Sequence, residues 1–388
     1  MSRIEIISVC SRQERSAFIK FPWRIYANDP AWVPPLIIER KEFLDRRKHP
    51  FYRHGDATLF LARRGREIVG RIMASDDPNY NTLHQTSVGC FGLFECIDDV
   101  EVASGLFRAA ESWLRDRGRS EIMGPIDYST NYVCGLLIDG FEHSPTLLTA
   151  HNPRYYARLI ESCGFAKIKD WYAWWFSEFP EPAERLRKIA AARARKQKVK
   201  IRPVNLRDIK GEAGRLRSIY NRAWEKNWGF VPFTEAEFDH MAHEMKPLIE
   251  PEGLLIAETE TEPVAFIIAV PDINVALRKI NGRLLPFGLV KLLYHKGRIR
   301  IARLVALGVI EKYRRTGIAE ALVLKIMDQA VKRGFTGELS MTLEDNVMVN
   351  RFIEAVGAKK YKTYRIYQKR IGAALSTNPG EHSLDLTG

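Results

Sequence analysis

Cysteine is scarce in this 388-residue chain, and its five cysteines lie apart. Cys10, Cys90, Cys96, Cys134 and Cys163 include no CxxC pair, so neither a zinc site nor a disulfide framework is expected, and no metal is called for. Met1-Ser2-Arg3-Ile4-Glu5 carries no apolar signal core. No stretch approaches the ~20 uninterrupted apolar residues that a spanning helix needs. These absences set the expectation of a reducing, cytoplasmic setting. Acids are also short: Asp and Glu number 47 against 60 Lys and Arg, a net charge of +13, with a sequence pI ≈ 9.5. Such a balance favours anionic partners, among them a phosphorylated cofactor, nucleic acid and anionic lipid. Nothing resembles a homeodomain, zinc finger or RNA-recognition motif, so nucleic acid is disfavoured. A 46% hydrophobic composition is enough for packed cores, and the length suits two or three domains.

The most informative stretch runs from Ala306 to Ala319. Ile299 to Val309 is rich in Ile, Leu and Val, as a buried strand should be. Ile318, Leu322, Val323, Ile326, Ala330 and Val331 then recur at helical spacing up to Gly334. The turn between them holds Arg314, Arg315, Thr316 and Gly317. Gly317 lets a ligand approach the backbone, the free N–H groups of a helix start favour an anion, and the arginines add forked donors. That combination asks for phosphate or pyrophosphate at a helix N-terminus.

Arg314-x-x-Gly317-x-Ala319 after a Val-rich strand resembles the acyl-CoA pyrophosphate loop of the GNAT superfamily of N-acyltransferases. The superfamily's next motif follows at a matching distance: Asn346, then Gly357-Ala358 after a short helix, then an aromatic strand from Tyr361 to Lys369. The resemblance covers about residues 198–372. It implies acyl-CoA or acetyl-CoA as co-substrate and direct acyl transfer to an amine. Backbone groups around Leu307, Gly308 and Val309 would donate to the thioester carbonyl oxygen as it gains charge. Arg314, Arg315, Thr316, Gly317, Ile318 and Ala319 would hold the pyrophosphate, and Asn346 would touch the CoA arm. The attacking ammonium must lose a proton, which needs a carboxylate or His. Asp272, at a strand end, and Glu225, before an aromatic loop, are the candidates, with Glu95 a weaker third. The Tyr that often protonates the leaving thiolate is replaced here by Ile353, and Tyr361 or Tyr364 could substitute.

Read in order, the chain repeats itself. Ile4 to Val9 is a strand, and Ser11 to Tyr26 a helix with Ser11 and Glu14 spaced as a capping box. Trp32-Val33-Pro34-Pro35 is a rigid aromatic loop. Strands at Ala57–Ala62 and Glu67–Ala74 precede a third from Ser87 to Ile97 and a helix from Val102 to Arg117. The second half restarts with a strand at Lys200–Val204, a helix at Asp208–Trp224, the aromatic loop Asn227 to Pro232, a helix at Thr234–Met245 and a strand pair. Ala62 and Val69 stand seven apart, as do Ala257 and Val264. Asn152, Gly164 and Trp171 echo Asn346, Gly357 and Tyr361. Identical element order makes this a distant internal repeat. The expected architecture is α/β: two tandem GNAT-like domains, each a mixed, mostly antiparallel sheet flanked by helices. The expected boundaries are a degenerate first domain over 1–183, a basic linker over 184–199, the CoA-binding domain over 200–372 and a flexible tail over 373–388. The first half's matching helix start, Ile97 to Ala103, holds Asp98, Asp99 and Glu101, which would repel CoA.

Asn274 to Arg298 is long for a hairpin connection. It mixes Leu284, Leu285, Phe287 and Tyr294 with Arg283, Lys291, Lys296 and Arg298. Apolar residues among bases suit an interfacial segment or the mouth of a lipid site, giving peripheral contact with the inner membrane. The alternative is a loop folded onto its own core. The whole-chain pattern is similar to a group of long bacterial GNAT-like proteins and to the bacterial ceramide-synthase type, which acylates a sphingoid amine. The acceptor is therefore expected to be an amine, with a lipid amine and a small soluble amine both open. A non-catalytic binding regulator is the rival class.

Overall fold

The computed structural model describes residues 3–178, 198–355 and 357–372, with Glu184, Lys188, Ile189, Ala192, Arg193 and Lys196 between the first two stretches. The tail at 373–388, and Arg185, Arg187 and Arg195 of the basic linker, lie outside the described residues.

The first half contributes strands β1 (Ile4–Ser8), β2 (Asp56–Arg64), β3 (Glu67–Asp76), β4 (Val88–Cys96), β5 (Glu121–Gly124), β6 (Leu136–Asp139) and β7 (Ala166–Phe176). Its helices are α1 (Arg12–Lys20), α2 (Pro22–Ile25), α3 (Ile37–Phe43), α4 (Pro78–His84), α5 (Val100–Arg115) and α6 (Tyr156–Ser162). The second half contributes β8 (Lys200–Pro203), β9 (Leu254–Glu258), β10 (Pro263–Pro271), β11 (Ile301–Val309), β12 (Thr336–Leu343) and β13 (Lys359–Arg370). Its helices are α7 (Ile209–Trp224), α8 (Glu235–Met245), α9 (Asn274–Leu277), α10 (Gly288–Lys296), α11 (Ile318–Arg333) and α12 (Val347–Ala355).

Local chemistry explains most of these boundaries. Ser11 and Glu14 form the expected capping box, but the helix stops at Lys20 because Pro22 has no N–H to continue it; a separate turn follows. Thr234 and Glu237 make a second capping box on α8. In α11, Ile318, Leu322, Ile326 and Ala330 form the buried stripe, and Gly334 closes it in the left-handed region at φ 62°. The repeat residues Ala62, Val69, Ala257 and Val264 are all buried at matching places in their hairpins.

The two units share one sheet of thirteen strands among the described residues, in the order β1-β2-β3-β4-β5-β13-β7-β12-β11-β10-β9-β8, with β6 also against β13. The units exchange their last strands. β13, from the second half, pairs with β5 and β6, while β7, from the first, pairs with β12 and β13. A mixed sheet results: β4–β5 and β11–β12 are parallel, and the other ladders are antiparallel. Separate cores sit on the two wings, around Leu106, Phe107 and Tyr156 in the first half and around Ile219, Phe266 and Leu322 in the second.

Candidate active site

The second half's parallel pair does not stay paired. β11 and β12 are in register only from Ile301–Thr336 to Leu304–Leu339. Val305 is skipped in the pairing with β10, where Ile268 faces Ala306 and Ala269 faces Leu304, so a bulge sits where the ladder to β12 ends. Beyond it the β11 edge towards β12 has no strand alongside. Val305, Ala306 and Leu307 are partly exposed although they lie mid-sheet. The result is a wedge-shaped opening bordered by Leu307, Gly308 and Val309, with backbone donors on one side.

The expected anion loop stands at the wide end. Gly317 is the N-cap of α11 with φ 88°, a conformation that needs glycine, and Arg315 before it also has positive φ at 63°. Thr316 Oγ1 donates to Tyr313 O at 2.6 Å and tightens the turn. Ile318 is buried and anchors the helix start, with Ala319 half-buried beside it. The arginines divide the work unequally. Arg314 donates to Ala223 O at 2.7 Å and to Val309 O at 3.3 Å, tying the loop to the end of α7. Arg315 is exposed at the turn. A further cation comes from the linker: a Cβ on Gly317 would lie 2.5 Å from Arg193 Cβ, so Arg193 rests against the loop. Asn346 is exposed in the turn before α12, on the other side of the opening. That turn is braced by the first half, since Lys167 meets Glu344 and Lys169 meets Asp345, both at 2.7 Å.

The corresponding place in the first half is filled. β4 and β5 also part after Val88–Cys90, and β4 also bulges, with Leu93 at φ 46°. There the chain itself enters the gap: Ile126 donates to Phe91 O at 2.7 Å, and Leu93 N–H donates to Asp127 Oδ1 at 3.0 Å. A Cβ on Gly92 would come within 2.5 Å of Ile126 O. At the helix start, Asp99 accepts from the N–H groups of Glu101 and Val102 at 2.9 and 3.3 Å, and Arg64 and Arg158 pair with Asp99 and Asp98. An internal carboxylate already occupies the position where an external anion would bind.

Below the narrow end of the opening in the second half lies a buried charged cluster that both halves build. Glu338 on β12 accepts from Thr146 Oγ1 at 2.8 Å and from Tyr361 OH, and pairs with Arg303 Nε at 3.3 Å. Asp272 accepts from Leu147 N–H at 2.9 Å and Asn274 N–H at 3.2 Å, both on Oδ1. Lys362 Nζ donates to Ser144 O at 3.0 Å and is fully buried. Burial pushes Asp272 up to about 6 and Lys362 down to about 8; Glu338 opposes the second shift. Tyr364 is buried beside Glu338 and Thr149, and burial holds its hydroxyl protonated well above the ordinary range.

The structure thus brings Asp272 and Tyr364 to one cluster. Glu225 stands apart, exposed at the C-cap of α7. Glu95 is buried in the first half, accepting from Tyr26 and Tyr156 hydroxyls at 2.9 and 2.8 Å with Arg71 at 3.4 Å. Ile353 packs with Trp174, Phe176 and Ala358 rather than lining the opening. Sequence reading missed Glu338, Arg303, Lys362 and Thr146. The available signal was a single charged residue inside each of two strands, Arg303 in β11 and Glu338 in β12, whereas Lys362 is one of six basic residues in β13 and gave none. Among the described residues no group of three or more His, Cys, Asp or Glu is placed to hold a metal ion.

The wedge, the glycine-capped loop and the bulge point to one family, and comparison with known proteins agrees. A family model described as Acetyltransferase (GNAT) family matches residues 214–358. Across nearly its full length the chain is similar to two curated bacterial proteins. It is 39% identical over 368 residues to Protein YghO of Escherichia coli, covering 93% of this chain and 94% of the relative. It is 36% identical over 384 residues to a bacterial ceramide synthase of Caulobacter vibrioides, covering 95% and 98%. The chain belongs to the GNAT family. Among solved structures, a tandem GNAT protein from the clavulanic acid biosynthesis pathway superposes with TM-score 0.56 at 11% identity, over 95% of this chain and 99% of that one, a likeness of fold. As a tandem GNAT protein, the chain is an acyl-CoA-dependent N-acyltransferase.

Proposed function

We propose that the protein transfers a long acyl chain from CoA to a lipid amine of sphingoid type, using one CoA site in the second half. The observation that carries this reading is the contrast between the two wedges, one open beside a cationic loop and one filled by Ile126 and Asp127. The relative named as a ceramide synthase supports the lipid acceptor. So do the exposed apolar side chains on α12, where Val347, Met348 and Phe352 follow the wide end of the open wedge.

In this reading Arg315, Arg193 and the N–H groups of Gly317, Ile318 and Ala319 hold the pyrophosphate, Arg314 fixes the loop, and Asn346 meets the CoA arm. Backbone donors at Leu307 to Val309 orient the arm and stabilise the thioester oxygen as it gains charge. Asp272 takes the ammonium proton, since a carboxylate raised to about 6 is still ionised at neutral pH and is a stronger base than an ordinary one. The amine nitrogen forms the amide bond as the C–S bond breaks. Tyr364, protonated at neutral pH, gives its proton to the departing thiolate and takes up the second proton that the nitrogen loses on becoming an amide. Tyr361 is less suited, because its proton is already given to Glu338. The first half supplies Thr146 and Leu147 as fixed partners of Glu338 and Asp272, and so helps to wall the acceptor side. An acceptor of this kind would be met at a membrane surface.

The test is CoA release over a panel of acyl-CoAs with a long-chain amine and a small soluble amine. About three buried methylenes would separate palmitoyl- from acetyl-CoA by about 2.4 kcal/mol, or ~60-fold in kcat/KM. Equal use of acetyl-CoA, or preference for the small amine, would sink the lipid reading.

A further inference from the structure

The segment between β10 and β11 holds seven Lys and Arg and no acid from residue 273 to residue 300. None of the seven forms an ion pair among the described residues. The segment is pinned to the first half on its inner side: Trp23 Nε1 donates to Asn281 Oδ1 at 2.7 Å, and Ile37 N–H to Gly282 O at 3.0 Å. Leu292 anchors α10 to a small core with Ile273, Ala276 and Ile299. The outer side is bare. Leu285, Phe287, Val290 and Leu293 are 78%, 71%, 68% and 62% exposed, and Tyr294 adds a fifth apolar surface. Val290, Leu293 and Tyr294 share one face of α10 at i, i+3 and i+4 spacing. A shallow groove of about 390 Å³ lies alongside, lined by Lys279, Val290, Lys291, Tyr294 and His295.

A folded chain does not leave this much apolar side chain in water without a use, and the flanking charge decides which use. A second copy of the chain apposed on this face would set like charge against like. An anionic bilayer satisfies both halves of the surface. Apolar side chains enter the headgroup–acyl boundary while lysines and arginines meet lipid phosphates, each worth about 1 kcal/mol near the surface. We propose that residues 278–300 form a membrane-docking element that seats the protein on anionic phospholipid, with α10 lying in the interface plane and the Lys279–Lys291 groove taking a headgroup. No helix of the described residues is long and apolar enough to cross a membrane, so the contact is a surface one. The inference extends the lipid-amine reading by naming the surface from which such an acceptor is taken, and it is read without any catalysis.

The experiment is sedimentation of full-length protein with vesicles of equimolar phosphatidylethanolamine and phosphatidylglycerol, and with vesicles of phosphatidylcholine. One variant carries Leu285→Ser, Phe287→Ser and Leu293→Ser; a second carries Lys279→Glu, Lys291→Glu and Lys296→Glu. These side chains are exposed, so both variants should keep the wild-type thermal transition and their acyl transfer to a detergent-dispersed amine. Wild type should bind the anionic vesicles at least tenfold better than phosphatidylcholine, each variant should lose at least tenfold, and rising salt should weaken the wild type. A wild type that ignores anionic vesicles, binds phosphatidylcholine equally, or self-associates through this face without binding vesicles would overturn the proposal. So would two folded variants that bind as wild type does. Vesicle binding without acyl transfer would leave the docking surface standing and remove the catalytic reading.

Discussion

Replacing Asp272 by Asn separates catalysis from structure. Both backbone donors to Asp272, from Leu147 and Asn274, reach Oδ1, an oxygen that Asn retains. The substitution therefore keeps the link between the halves and removes only the charge and the basic site. Loss of a general base lowers the rate ~10²-fold or more, about 2.7 kcal/mol. Stability should move the other way. Burial raises the folded-state pKa of Asp272 from 3.8 to about 6, so the stability it contributes is full below pH 3.8 and lost as pH rises through 6. The neutral-pH cost is about 3 kcal/mol, offset in the variant by about 1–3 kcal/mol if the new amide N–H group finds no partner. Asp272→Asn should thus be at least as stable as wild type at pH 7.5 and ~10²-fold slower. Wild-type kcat/KM should rise with pH through about 6, and the variant's should not. Paired pH–rate profiles and thermal melts decide it. Retained activity would remove Asp272 as base, and a large fall in melting temperature would make its role structural.

Other expectations follow from the same geometry. Arg314→Glu with Gly317→Asp should abolish CoA binding measured by titration, because it frees the loop from Ala223 O and forces a side chain at φ 88° into Arg193; unchanged affinity would refute the loop assignment. Arg193→Glu should raise the KM for acyl-CoA several-fold with kcat little changed, whereas a solvated linker residue would leave both alone. Tyr364→Phe should slow transfer from CoA thioesters but spare an activated aryl thioester whose thiolate leaves without a proton; equal losses would mean that Tyr364 only packs. Met348→Ser with Phe352→Ser should narrow the preference for long acyl chains, read as the palmitoyl-to-acetyl ratio of kcat/KM.

The loop proposed to hold the anion was legible as local structure: strand, glycine and helix start are contiguous, and Gly317 and the α11 stripe stand where the spacing put them. The hairpins of both halves were legible for the same reason. Strand exchange was not, because β7 and β13 have an aromatic pattern that fits either neighbour, and only three-dimensional pairing selects it. The filled wedge of the first half depends on the path of Ile126 and Asp127 after β5, which no periodicity encodes. The charged cluster joins positions 146, 272, 303, 338 and 362, so sequence distance hid it. Asp272 was found from its place at a strand end, whereas Glu338 looked like one more strand residue. The insert's composition left an interface and packing on its own core both open, and the structure divides the segment between exposed and packed side chains: Leu292 packs with Ile273 and Ile299 and Ile280 is buried, whereas Leu285 and Phe287 are exposed.

The most direct measurement is a mass balance. Purified protein is incubated with palmitoyl-CoA and a sphingoid-type long-chain amine, and free CoA thiol and amide are quantified together by mass spectrometry. Transfer predicts equimolar thiol and long-chain amide, both lost in Asp272→Asn and in the Arg314→Glu, Gly317→Asp double variant. Thiol released without amide, or no amide from any amine offered, would contradict it.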